Sequence, residues 1–156
     1  MEVSVKLKWN KALRFNAEVA DGRAVEINSA EDMGHAFAPM ELFLFALAGC
    51  TAMDVVWILE RQRQKVDNFE ISARGIRRKE DPKYYEIADL EYKIEGKGIR
   101  KDAVERAIRL SQQKYCSVQA MINDNVNVRI TYKIRDGEGQ EQTFRYAPDH
   151  SSQEPS

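Results

Sequence analysis

Between Leu42 and Leu59 the chain is apolar on nearly every face of the helix that its composition spells. A helix without a polar face cannot lie on a protein surface. It is either central and buried or it spans a membrane. Its length barely reaches a membrane span. Asp54 stands in its middle, where a carboxylate costs about 2.5–3.5 kcal/mol on insertion scales. Amphipathic strands on both sides also need a core to pack on. The expectation is therefore a central helix in a globular domain, with no membrane partner. Pro39 marks its start, because a proline at the first helical position gives up an N–H that the helix does not use.

The flanking segments alternate. Val3, Val5, Leu7 and Trp9 point one way and polar residues the other, as in a half-buried strand. Leu13, Phe15, Ala17 and Val19 repeat the pattern, Asp21-Gly22 signals a hairpin turn, and residues 24–27 read as a third strand. A loop from 28 to 38 carries His35. After the helix, Phe69, Ile71 and Ala73 open a strand, Asp81-Pro82 marks a turn, and residues 84–95 return with Leu90, Tyr92 and Ile94 on one face. Val104, Ile108, Ser111, Tyr115, Val118 and Ile122 step at helical spacing, which predicts one helix over about 102–122. Val126 to Ile134 alternates as a last long strand, and 143–146 adds a short edge strand. Strands, long helix, strands, helix, strand make an α+β fold with mostly antiparallel sheet.

At 156 residues the length suits one domain with a real core. We place the domain at 1–136 and a C-terminal extension at 137–156, an edge strand followed by a mobile tail rich in Gly, Glu, Gln, Ser and Pro. The formal net charge is −1 with charged residues at 31 %, which argues against a nucleic-acid partner, since those binders carry a basic excess or stripe. The opening residues alternate instead of forming an apolar block, so no secretory signal is expected. Two cysteines in such a chain suit a reducing cytoplasm, where a disulfide is transient and chemical.

Those cysteines are Cys50, inside the apolar helix, and Cys116, in the second helical pattern. They are either a reactive centre with its partner or two buried small hydrophobes. A reactive thiol needs a lowered pKa, supplied by a helix N-terminus or a cation. Cys50 lies eleven residues past Pro39, beyond the reach of the helix dipole. Arg14, Arg23, His35 and Lys114 are the candidate cations. Each also has a plain structural reading, as a strand, hairpin, loop or surface charge. Asp54 lies one turn after Cys50 on the same face, and its carboxylate is expected to be bound to another group. Two cysteines with His35 and His150 do not form a zinc-ligand spacing, so neither metal nor cofactor is expected.

Pro39-Met40-Glu41-Leu42, Gly49-Cys50, Met53-Asp54-Val55-Val56 and Lys114-Tyr115-Cys116-Ser117-Val118 together resemble the OsmC/Ohr family of osmotically induced and organic-hydroperoxide-resistance proteins, and most of all its YhfA-like branch. The resemblance covers about residues 1–135. It implies an intertwined homodimer, with antiparallel sheets packed around two central helices and active sites near the dimer interface. It implies thiol-dependent reduction of hydroperoxides, organic ones preferred, in oxidative stress defence. In that scheme Cys50 is peroxidatic and Cys116 resolving, the two close a reversible disulfide, and a dithiol or small thiol restores them. Thiols that begin further apart are expected to meet after a shift of the second helix. The alternatives are a non-catalytic member that binds a small ligand at the dimer interface, and a redox sensor. Two further residues carry over from the resemblance. Arg14 corresponds to the region of an arginine that supports the thiolate. The family's glutamate falls at Met40, which leaves Glu41 as the neighbouring acid, equally readable as a helix-start charge favoured by the dipole. Without that glutamate, activity below that of typical family peroxidases is expected.

Overall fold

The computed structural model describes residues 1–122 and 124–148; His150 and the end of the expected tail lie outside them. Two compact units divide the chain, Met1–Phe45 and Ala46–Ser156.

The first unit holds the expected meander. Strands β1 (Val5–Lys11), β2 (Arg14–Val19) and β3 (Ala24–Asn28) pair antiparallel in sequence order. The hairpin between β2 and β3 closes through Gly22 N–H to Val19 O at 3.0 Å. Gly22 has φ +87° there, a left-handed conformation that glycine adopts without steric cost. Helix α1 (Pro39–Arg61) begins in this unit and runs on into the second. Its start is capped by its own third residue: the Glu41 carboxylate accepts the Ala38 N–H at 2.9 Å. That bond satisfies one of the donors a helix start leaves unpaired.

The second unit is built on a four-stranded sheet, β4 (Asn68–Arg77), β5 (Tyr85–Glu95), β6 (Asn127–Arg135) and β7 (Glu141–Arg145), in that spatial order. Strands β5 and β6 are parallel, whereas β4–β5 and β6–β7 are antiparallel. A parallel pair needs a long crossover connection, and the helical segment between β5 and β6 supplies it. Alternation along β5 sends Ala88, Leu90, Tyr92 and Ile94 inward. They pack with Ile130 and Tyr132 of β6, with Leu47, Val55, Ile58 and Leu59 of α1, and with Ala103, Val104, Ala107 and Ile108 of the crossover.

Two expectations are corrected. The crossover is not one helix over 102–122. It is α2 (Lys101–Leu110), a π-helical turn at Ser111–Tyr115, and a short α3 (Ser117–Met121). Cys116 breaks the helix with φ −70° and ψ 104°. Helical spacing put Tyr115 on the inward face, but the π turn adds one residue, so Tyr115 is 40 % exposed and Cys116 takes the buried place. Nor is α1 buried all round within one chain. Its buried residues are Leu47, Thr51, Val55, Ile58 and Leu59, a single stripe, while Phe45, Met53 and Trp57 are exposed. The helix is long and apolar enough to cross a membrane by length and composition alone.

Candidate active site

Helix α1 places Cys50 and Asp54 one above the other, because residues four apart share a helix face. The π-helical turn brings Cys116 to them from the crossover. The Cys50 and Cys116 Sγ atoms and a carboxylate oxygen of Asp54 all lie within 4.8 Å of one another. Cys50 and Asp54 are half-buried and Cys116 is 3 % exposed. Both thiols are free. A disulfide has an S–S bond of about 2.05 Å, so the two free sulfurs still have to move closer to form one.

The turn is held against α1 at two levels. Outside, the Trp57 and Tyr115 rings meet edge to face at 5.9 Å, with the Arg61 guanidinium 4.2 Å over the Trp57 ring. Inside runs a chain of hydroxyls. Ser111 Oγ donates to Asp54 Oδ2 at 2.9 Å, Thr51 Oγ1 lies 2.9 Å from Ser111 Oγ, and Tyr92 OH lies 2.6 Å from Thr51 Oγ1. Gln112 Nε2 also donates to Thr51 Oγ1, at 3.3 Å. A hydroxyl has one proton to give. Ser111 gives its proton to the carboxylate, so Thr51 must donate to Ser111, and Tyr92 must donate to Thr51. The chain has one direction, from the buried phenol to the carboxylate beside the thiols. Burial pushes the Tyr92 phenol far up, which keeps it the donor this order requires.

The two thiols differ. Burial first, and then Cys50 and the Asp54 charge, push the Cys116 thiol up to about 11, against a backbone N–H that pulls it down. That N–H is Gln119's, 3.4 Å from Cys116 Sγ at the start of α3. Cys116 is thus held as a protonated thiol at neutral pH, enclosed by protein, and Cys50 is the thiol within reach of a solute.

The comparisons decide the family. Residues 31–131 match the family model described as OsmC-like protein. Protein YhfA of Escherichia coli K12 is 35 % identical over 132 residues, 85 % of this chain and 98 % of that protein. This chain belongs to the OsmC-like family. Its backbone matches a hypothetical protein from Aquifex aeolicus VF5 with a TM-score of 0.78 at 30 % identity, over 87 % of this chain and 98 % of the other. It also shares its fold with an organic hydroperoxide resistance protein OsmC from Legionella pneumophila, with a TM-score of 0.66 at 16 % identity over 85 % and 96 % of the two chains.

In this OsmC-like chain Arg14, Arg23, Glu41 and Lys114 have partners of their own. Arg14 forms an ion pair with Glu26 and donates to Asp32 O at 3.2 Å. Arg23 pairs with Asp21 at 2.8 Å beside the hairpin. Glu41 caps α1, as described above. The Lys114 ammonium sits 5.3 Å over the Tyr115 ring, and His35 is exposed. Asp54 is bound to another group as expected, and that group is Ser111. Sequence reasoning missed Thr51, Ser111, Tyr92 and Gln112. A signal was present for two of them. Ser111 and Tyr92 carry hydroxyls at positions whose periodicity points inward, and a buried hydroxyl demands a partner.

Proposed function

We propose that this OsmC-like protein is a thiol-dependent hydroperoxide reductase acting on organic hydroperoxides, with Cys50 as the peroxidatic and Cys116 as the resolving cysteine. The observation that carries the reading is the two Sγ atoms within 4.8 Å of each other, one accessible and one enclosed. The Legionella pneumophila protein of the same fold, named for organic hydroperoxide resistance, supports the choice of substrate class.

The chemistry runs in three steps. The Cys50 thiolate attacks a peroxide oxygen; an S–O bond forms, the O–O bond breaks, and the alcohol leaves with a proton, giving a sulfenic acid. The Cys116 sulfur then attacks the Cys50 sulfur. The S–O bond breaks and water leaves, carrying the proton of the Cys116 thiol, for which Asp54 is the carboxylate at hand. An external dithiol or small thiol reduces the disulfide by two exchanges and is itself oxidised. Met40 stands where the family's peroxidases are expected to carry a glutamate, so slow turnover is expected. Arg14 is the cation assigned to thiolate support, and Glu26 is the acid that holds its guanidinium, in place of the glutamate missing at Met40. Glu41 is committed to the helix cap.

We place the protein in the cytoplasm, where two free thiols stay reduced, as a homodimer that covers the exposed Phe45, Met53 and Trp57 of α1. Peroxide consumption with several dithiols, measured for the parent, Cys50→Ser and Cys116→Ser, tests the reading. Turnover is expected to vanish in Cys50→Ser, and Cys116→Ser is expected to stop at a trappable sulfenic acid. Equal turnover in parent and Cys50→Ser refutes it. Loss of rate in Arg14→Ala and Glu26→Gln, with the fold intact, is the expected sign of the arginine's part.

A further inference from the structure

Two sulfurs and a carboxylate oxygen within 4.8 Å of one another are more than a redox pair. Around a tetrahedral zinc ion, bond lengths of about 2.3 Å to sulfur and 2.0–2.2 Å to oxygen put neighbouring ligand atoms about 3.5–3.8 Å apart. The three atoms lie within about 1 Å of that spacing. The donor set is also chemically selective. Two thiols, which release their protons as the ion binds, favour a borderline-soft ion over magnesium or calcium, which take oxygen ligands.

Metal ligands are normally oriented by outer hydrogen bonds, and two of the three have them. Ser111 Oγ donates to Asp54 Oδ2, and the Gln119 N–H donates to Cys116 Sγ. Ser111 is itself fixed by the fully buried Thr51. Cys50 and Asp54 are half-buried, which leaves a solvent side for ion entry and for a fourth ligand from water. No spacing in the sequence announces this set, since Asp54 follows Cys50 by four residues and Cys116 comes from another element.

We propose that Cys50, Asp54 and Cys116 bind one divalent ion of the zinc class. The ion ties up the sulfur that would attack a peroxide, so ion and peroxide compete for Cys50. The binding itself does not depend on peroxide turnover.

The test is a titration of the reduced, full-length protein with cobalt(II), read by its thiolate charge-transfer absorption, followed by displacement with zinc(II). One ion per chain is expected, with the band lost in Cys50→Ser and in Cys116→Ser. Asp54→Asn is expected to bind at least about tenfold more weakly, and Asp54→Glu to recover part of the loss. Circular dichroism verifies that each variant is folded. As a second readout, zinc is expected to slow iodoacetamide alkylation of Cys50 in the parent but not in Asp54→Asn at the same zinc concentration. Absence of a charge-transfer band in the parent, parent-like affinity in folded Asp54→Asn, or zinc binding that survives replacement of both cysteines would overturn the proposal. Peroxide turnover enters none of these readings, so the two proposals fail separately.

Discussion

Replacing Thr51 by Val tests the directed hydroxyl chain behind the thiols. Valine has the shape of threonine, so the substitution opens no cavity, but it swaps a hydroxyl for a methyl group. Thr51 is fully buried, as are its partners Tyr92 and Ser111. Three bonds go, to Tyr92 at 2.6 Å, Ser111 at 2.9 Å and Gln112 at 3.3 Å. Gln112 is half-buried and can turn to water. Ser111 still gives its proton to Asp54. The phenol of Tyr92 is left with a donor and no acceptor, at a cost of about 1–3 kcal/mol, and the other lost bonds add about 0.5–1.5 kcal/mol each. The sum for Thr51→Val is about 2–6 kcal/mol.

Tyr92→Phe is expected to be milder, about 1 kcal/mol, because Thr51 keeps its bonds to Ser111 and Gln112. In the double variant the stranded phenol no longer exists. The double is therefore expected to lie about 1–2 kcal/mol above the sum of the singles in stability. The assay is denaturant unfolding of all four proteins at one protein concentration, with midpoints compared at constant m. Additivity within about 0.5 kcal/mol, or a Tyr92→Phe cost as large as that of Thr51→Val, would show that the proton order from phenol to carboxylate is wrong.

Three further outcomes are expected. Asp89 lies between Arg129 and Arg74, at 2.8 and 2.9 Å from their Nη2 atoms, and the Arg129 hydrogen bond is the main cause that holds its carboxyl at about 2, below the usual 3.8. A depressed pKa contributes stability above pH 3.8 that is lost as pH falls through about 2. Solvent screening reduces it to about 1 kcal/mol, so thermal melts of Asp89→Asn should converge with the parent's near pH 2 and lie below them at pH 5. Gly96→Ala would set its Cβ 2.1 Å from Lys65 O, a backbone atom; a loss of about 2–3 kcal/mol is expected in denaturant unfolding, and parent-like stability would show that the two strand-end segments yield easily. Sedimentation at micromolar concentration should give twice the 18.0 kDa chain mass, with Met53→Glu shifting the protein to smaller species, and a folded parent monomer would exclude the obligate dimer.

Much of the fold was legible in the chain because its signals are local. Period-2 alternation placed the strands, Asp21-Gly22 the hairpin, and Pro39 the start of α1, each within a residue or two of its place. The cysteine contexts, with the segments beside them, pointed to the family, since they are short stretches read directly. The parallel pairing of β5 and β6 was not legible, because strand partners are set by the path of the crossover and not by the composition of either strand. The π-helical turn was hidden for a different reason. Its extra residue moves the inward place from Tyr115 to Cys116, and a period of 3.6 has no way to signal that slip.

What the sequence determined by itself is an α+β domain with a helix too apolar to stand alone and two thiols on separate helical segments. Only the tertiary structure decided that Cys50, Asp54 and Cys116 meet, that Ser111 holds Asp54, and that Glu26 holds Arg14. Hydrophobic periodicity reports which face of an element is buried. It carries no record of which polar atom on another element waits there, and that juxtaposition follows from packing distances that exist only once the sheet and its helices have closed on one another.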